Sequence, residues 1–189
     1  MNIKNRKFFV GLVALVSTGL MFVVLAASTP GKAVARVTDV KGRFLGVVTF
    51  IDSGTSTRVN FLLSGLTPGK HGVHVHSGAV CTDSKDAVTG ANVIFGGAGP
   101  HFDPNDSKNH GGPNLDSSKG HAGDLENLVF DASGANFQKG KTQKINLAGG
   151  ALSVVGKAII IHANEDNYTN TPANGGSGGR VACGVIVAN

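Results

Sequence analysis

The sequence has no tryptophan, a single tyrosine and only 15% charged residues, against about 25% in an average soluble chain. A Gly-rich chain with so few charges and only two glutamates reads as neither a coiled coil nor a helical bundle. Its two cysteines are too few for a small disulfide scaffold or a Cys-rich zinc site. What it has in excess is glycine, 28 residues, about double the usual ~7%. That calls for many turns and short strands. Hydrophobic residues reach 41%, enough for a core, so bulk disorder is excluded. The length, 189 residues, suits one ordinary domain.

The formal charge of +5 is misleading. Of 17 Lys and Arg against 12 Asp and Glu, three are Lys4, Arg6 and Lys7. They precede an uncharged apolar run over residues 8–26 and the small residues Ala26, Ala27 and Ser28. This reads as a secretory signal over residues 1–28, followed by a single domain over 29–189. An uncleaved membrane anchor is the alternative, since such a run nearly spans a bilayer. Without the three leading cations the chain is close to neutral, with no basic stripe, so no nucleic-acid partner is expected. Once the signal is cleaved, no stable membrane partner is expected either. Export, extracellular or periplasmic, means an oxidising compartment. Cys81 and Cys183 are then most simply a disulfide, with two free thiols as the alternative.

Period-two alternation and turn chemistry predict strands over 33–40, 44–51, 57–63, 71–76, 125–130, 142–147, 152–162 and 180–187. Residues 77–123 and 163–179 are Gly-, Asn- and Asp-rich and lack periodicity. Loops that long in a compact domain are usually functional. The expectation is all-β: eight antiparallel strands in a Greek-key sandwich or barrel, two long functional loops and minimal helix.

All seven histidines lie from residue 71 onward. In His74-Val75-His76, period two puts both imidazoles on one strand face, where they can chelate one metal. A half-exposed strand carrying two incidental histidines is the alternative. His101, His110, His121 and Asp124 fall within one loop, and three imidazoles with a carboxylate form a closed tetrahedral set for zinc. Such a metal would supply the cross-link that a Gly-rich loop lacks; a polar loop with incidental histidines is the alternative. His162 ends an apolar strand. Arg180, three residues before Cys183, would be pinned near His76 by the disulfide, as an anion receptor or simply as a solvated edge residue.

The segments Gly69-Lys-His-Gly-Val-His-Val-His76, Gly99-Pro-His-Phe-Asp-Pro104, His110-Gly-Gly-Pro113, His121-Ala-Gly-Asp-Leu125 and Gly179-Arg-Val-Ala-Cys-Gly184 occur in this order. On these motifs, from about residue 33 to 187, the chain resembles the copper/zinc superoxide dismutases. The resemblance implies an oxidoreductase that converts two superoxide anions to oxygen and hydrogen peroxide. It implies copper on His74, His76, His101 and His162, and zinc on His101, His110, His121 and Asp124, with His101 shared. It also implies catalytic roles for Arg180, receiving superoxide, and for His101, whose ring takes and returns a proton. Asp166 matches an aspartate that links a copper histidine to a zinc histidine, and Cys81 and Cys183 match the intrasubunit disulfide. His71 has no ligand role and is expected to be structural. A non-catalytic copper-binding or buffering module on the same fold is the alternative function.

The chain departs from the family pattern in places. Ser77 stands where an acidic residue is usual, and residues 82–100 form a long segment between Cys81 and His101, so a homodimer is left open. Residues 167–179 contain no Lys or Glu, so Arg180 is expected to supply most local attraction for an anion, with weak long-range steering. Two sequons, at Asn105 and Asn167, are candidates for glycosylation.

Overall fold

The computed structural model describes residues 31–142 and 144–189; the expected signal lies outside them. The strands are β1 (Lys32–Asp39), β2 (Phe44–Asp52), β3 (Thr57–Ser64), β4 (Gly69–His71), β5 (Val73–His76), β6 (Ser84–Lys85), β7 (Asn92–Val93), β8 (Leu128–Phe130), β9 (Ala135–Thr142), β10 (Ala158–His162) and β11 (Arg180–Ala188). Among the described residues the only helical elements are two short 3₁₀ turns, Gly96–Ala98 and Ala173–Gly176.

One antiparallel sheet runs β5-β10-β11-β1-β2-β3-β9. β4 and β5 are one strand interrupted at Gly72, where an added Cβ would collide with Ser177 and crowd Asp166. The β4 part pairs with β8 and the β5 part with β10. Counted this way the architecture has the expected eight strands, with the β6-β7 hairpin as an addition. β3 connects to β4 and β9 to β10 across the barrel ends, which gives the Greek-key crossing.

β9 differs from the expectation, which placed a strand over 142–147. Its inward residues Asn136 and Gln138 are polar, so apolar alternation is absent. They close the barrel by bonding to β8 and its approach: Asn136 Nδ2 donates to the Val129 carbonyl (2.8 Å) and Gln138 Nε2 to the Asn127 carbonyl (3.0 Å). The strand expected over 152–162 is shorter too. Only its second half pairs, because residues 149–157 turn through Gly150 and Gly156 at positive φ.

Inside the barrel, Phe50, Phe61, Phe130, Val73, Val75, Ile159 and Ile161 form the main core. Outside it, a second cluster joins Phe95, Ala98, Ala158, Ile160 and Cys183, with Cys81 against it. β10 is therefore buried on both faces, which explains its continuous apolar run. Residues 82–100 supply Phe95 and Ala98 to this cluster, and the Cys81–Cys183 disulfide forms beside them. The long segment is thus a packed cover rather than a loose loop.

Candidate metal centre

β5 and β10 set the histidines by register. His74 pairs with Ile160 and His76 with Ala158, while Val73 and Val75 pair with Ile161 and Ile159. The valines enter the barrel, so both histidines stand on its outer face, beneath the long loops. His162 shares that face. A bulge after Ile161 places it opposite Arg180 of β11.

Hydrogen bonds fix which ring nitrogen each histidine has free. His76 Nδ1 donates to the Gly99 carbonyl (2.8 Å) and His162 Nδ1 to the Gly178 carbonyl (3.0 Å), leaving both Nε2 atoms unpartnered and buried. His74 Nε2 donates to Asp166 Oδ2 (2.8 Å), leaving Nδ1. His110 Nε2 donates to Asp166 Oδ1 (2.9 Å), leaving Nδ1, and His121 Nδ1 is also unpartnered. Five buried imidazole nitrogens without a partner would be costly in a resting polypeptide. They are the donor type that copper and zinc take, so these residues fit the two metals.

The ligand atoms of His74, His76, His101 and His162 lie within 4.8 Å of one another. A second group meeting the same distance holds His74, His101, His110 and Asp124. His121 belongs with it by direct approach, its Nδ1 3.4 Å from Asp124 Oδ1. Asp124 faces three rings at once, with Oδ1 also 3.0 Å from His101 Nδ1 and Oδ2 3.2 Å from His110 Nδ1. The Gly111 amide donates to Oδ2 (2.9 Å). The His101 ring stands between the groups, 4.0 Å from His74 and 5.3 Å from His121, centroid to centroid.

Burial keeps the rings of His74, His76 and His162 neutral. It holds His74 down to about 3, His162 to about 4 and His76 well below the usual imidazole value. Burial opposes charge on His110 as well, but the Asp124 and Asp166 carboxylates beside the ring outweigh burial and raise it to about 9. For Asp124 and Asp166 burial works against ionisation, yet their histidine partners hold both well below the usual carboxylate range.

Asp166 spans the two sides through His74 and His110. Its own amide donates to Asn127 Oδ1 (3.0 Å), and Asn127 Nδ2 donates to its carbonyl (2.8 Å). Gly175, at φ +65, lies so close to the Asp166 carboxylate that a Cβ there would overlap it. Arg180 is fixed by two carbonyls of the 82–100 segment, Nη1 donating to Phe95 and Nη2 to Gly99, each at 2.7 Å. Gly99 therefore orients both Arg180 and His76. A funnel of about 370 Å³ lined by His76, His101, His162 and Arg180 opens past Ile94 and Asn174. Beside it a groove of about 880 Å³ carries Lys85, Lys108 and Lys157, together with Asp86, Asp103 and Asp106. The surroundings of Arg180 are thus charged but balanced.

The structure brings together every site residue expected from the sequence. His71 stands apart, as expected: its Nδ1 donates to the His162 carbonyl (2.7 Å) and its ring meets Phe130 edge-on. Sequence reading missed Asn127 and Lys144. Lys144 is buried, and its Nζ donates to the carbonyls of His121 (2.9 Å) and Gly112 (3.2 Å). No motif marks either residue.

Comparison with known proteins agrees with this geometry. The family model described as copper/zinc superoxide dismutase matches residues 44–186. A Cu-Zn superoxide dismutase of Deinococcus radiodurans is 38% identical over 177 residues, covering 94% of this chain and 96% of its own. An extracellular Cu-Zn superoxide dismutase of Drosophila melanogaster is 36% identical over 156 residues, covering 79% and 76%. The solved Cu/Zn superoxide dismutase from Brucella abortus matches with a TM-score of 0.72 at 28% identity, covering 82% of this chain and 98% of that one.

Proposed function

The chain belongs to the copper/zinc superoxide dismutase family, and on that premise we propose how its residues share the dismutation of superoxide to oxygen and hydrogen peroxide. His74, His76, His101 and His162 hold copper. His101, His110, His121 and Asp124 hold zinc. His121 rather than His74 completes the zinc set, because His74 gives Nε2 to Asp166 and its one remaining nitrogen is needed in the group with His76 and His162. Copper supplies the one-electron chemistry by alternating between Cu(II) and Cu(I), while zinc, with no redox chemistry, supplies fixed charge and shape.

The polypeptide does the rest. Arg180, pinned by Phe95 and Gly99, presents its guanidinium at the funnel to receive the anion. His101 Nδ1 is directed at Asp124, so Nε2 is the atom that would hold a proton in one half of the cycle and give it to peroxide in the other, the second proton coming from water. Asp166 holds His74 and His110 in the tautomers that leave each Nδ1 free. Every one of these groups comes from a single chain, so a monomer contains a complete site. The Cys81–Cys183 disulfide and an extracellular relative support export of the protein.

The observation that carries the assignment is the set of five buried, unpartnered imidazole nitrogens. The fixed Arg180 favours turnover over copper buffering, since storage needs no anion receptor. His162→Ala or His74→Ala is expected to abolish dismutation while zinc content persists. A wild-type protein that holds both metals yet works no faster than aqueous copper refutes the reading.

A further inference from the structure

The outer face of β1, β2, β3 and β9 lies across the barrel from the metal centre, separated from β10 in the sheet by β11. Strand alternation turns Lys32, Arg36, Arg58 and Lys139 outward, and all four are exposed. None forms an ion pair among the described residues. No carboxylate accompanies them: the β1 terminal Asp39 is taken by Arg43, and Asp52 is buried. For a chain otherwise close to neutral, this is a one-signed patch.

The same face carries large apolar side chains in the open. Phe137 is 77% exposed, Leu62 52% and Phe44 49%. Register places Arg36, Val47, Leu62 and Phe137 in one row across the four strands. The next rows hold Lys139, then Lys32 and Arg58. The Arg36 guanidinium stands 4.4 Å over the Phe44 ring. At ordinary strand spacings the patch measures about 15 by 20 Å. Apolar residues ringed by exposed cations are the composition that lies at an anionic lipid interface, the rings entering the headgroup boundary and the cations meeting phosphate.

Two further observations select this occupant. A second copy docking face to face would bring like charges together across an isologous contact. The chain also enters this face at Lys32, directly after the apolar run of residues 8–26. Five residues span at most about 18 Å, so during export, or with the run retained, this end of the barrel is held beside the bilayer.

We infer that the outer β1-β2-β3-β9 face is a peripheral docking surface for an anionic phospholipid bilayer. Docking is reversible and electrostatic, and it leaves the funnel at His162 and Arg180 facing the medium. It is compatible with the expectation of no stable membrane partner once the signal is cleaved.

The test is sedimentation of the exported, metal-loaded protein with vesicles of phosphatidylcholine alone or with 30% phosphatidylglycerol, at low salt and at ~0.5 M salt. Each cation near an anionic surface contributes about fivefold in binding. Binding is expected to rise at least about tenfold with phosphatidylglycerol and to vanish in high salt. Arg36→Glu with Lys139→Glu is expected to remove that increment, and Phe137→Ser to cut it severalfold, with dismutation rates unchanged. Equal partition to the two vesicles overturns the inference. So does binding that is indifferent to Phe137→Ser, which would mark a general polyanion site. A dimer that Phe137→Ser converts to monomer would mark a subunit contact and overturn it as well.

Discussion

Lys144→Met removes an ammonium from beneath the zinc-side loop, and the structure sets the cost. Its Nζ donates to the carbonyls of His121 and Gly112, two residues that bracket the turn 113–120. Hydrogen bonds to a charged group are worth about 1.5–3 kcal/mol each, and a buried carbonyl left without a donor costs about 1–3 kcal/mol. Against this stands the desolvation of the ammonium itself. That burial lowers the pKa of Lys144, and methionine recovers it. A net loss of about 2 kcal/mol remains, about thirtyfold in an equilibrium constant. The loss falls where His121 is held from behind, so zinc affinity should drop about thirtyfold while copper affinity changes little. Chelator competition, run separately for each metal, measures both. Zinc affinity within about threefold of wild type would show that the loop keeps His121 in place without Lys144. An equal loss for both metals would show a general loosening of the fold instead.

Three more outcomes are expected. The metal-free fold should be most stable near pH 6.5. His110 is raised to about 9, so its contribution is complete below 6.5 and is lost as pH rises through 9; His74 and His162 are depressed to about 3 and 4, so stability is also lost as pH falls below 6.5. Urea unfolding of chelated protein at pH 5, 6.5 and 9 checks this, and a steady rise toward pH 9 contradicts it. Arg180→Met should lower kcat/KM about tenfold or more with both metals retained, since it removes the cation that meets superoxide; an unchanged value would leave Arg180 a purely structural group. Finally, because three lysines and three aspartates share the groove beside the funnel, the association rate should fall less than about tenfold between low and ~0.15 M ionic strength. Stopped-flow decay of superoxide at several salt concentrations measures it, and a steeper fall would mean that the lysines act without their aspartates.

The sequence made the site legible because metal ligation uses few residue types at rigid spacings. Period two at His74 and His76 translates directly into two imidazoles on one strand face, and the register with Ile160 and Ala158 bears it out. What stayed hidden is chemistry addressed to backbone carbonyls. Asn136 and Gln138 close the barrel through the carbonyls of Val129 and Asn127, and Lys144 holds the loop through those of His121 and Gly112. A carbonyl is present at every residue, so such a bond leaves no complementary side chain to find elsewhere in the sequence. Hydrophobic periodicity is blind to β9 for the same reason, since its inward face satisfies polar groups and buries little carbon.

The 82–100 segment shows how the two kinds of information combine. From the sequence, its uncharged stretch over residues 87–97 reads either as a contact surface or as a cover for the loop. In the fold, Phe95 and Ala98 pack it onto the disulfide and β10, and this packing has a chemical result. Two of its carbonyls clamp Arg180, and the Gly99 carbonyl also fixes the tautomer of His76. A guanidinium with both terminal nitrogens held loses little further freedom when an anion arrives, so its attraction is delivered at a fixed point beside His76, His101 and His162. Ser77, where the family usually has an acidic residue, adds no opposing charge there. The neutrality of the loop at 167–179 is therefore compatible with fast chemistry: one cation is held rigidly at the funnel, and the three lysines of the neighbouring groove are matched by three aspartates.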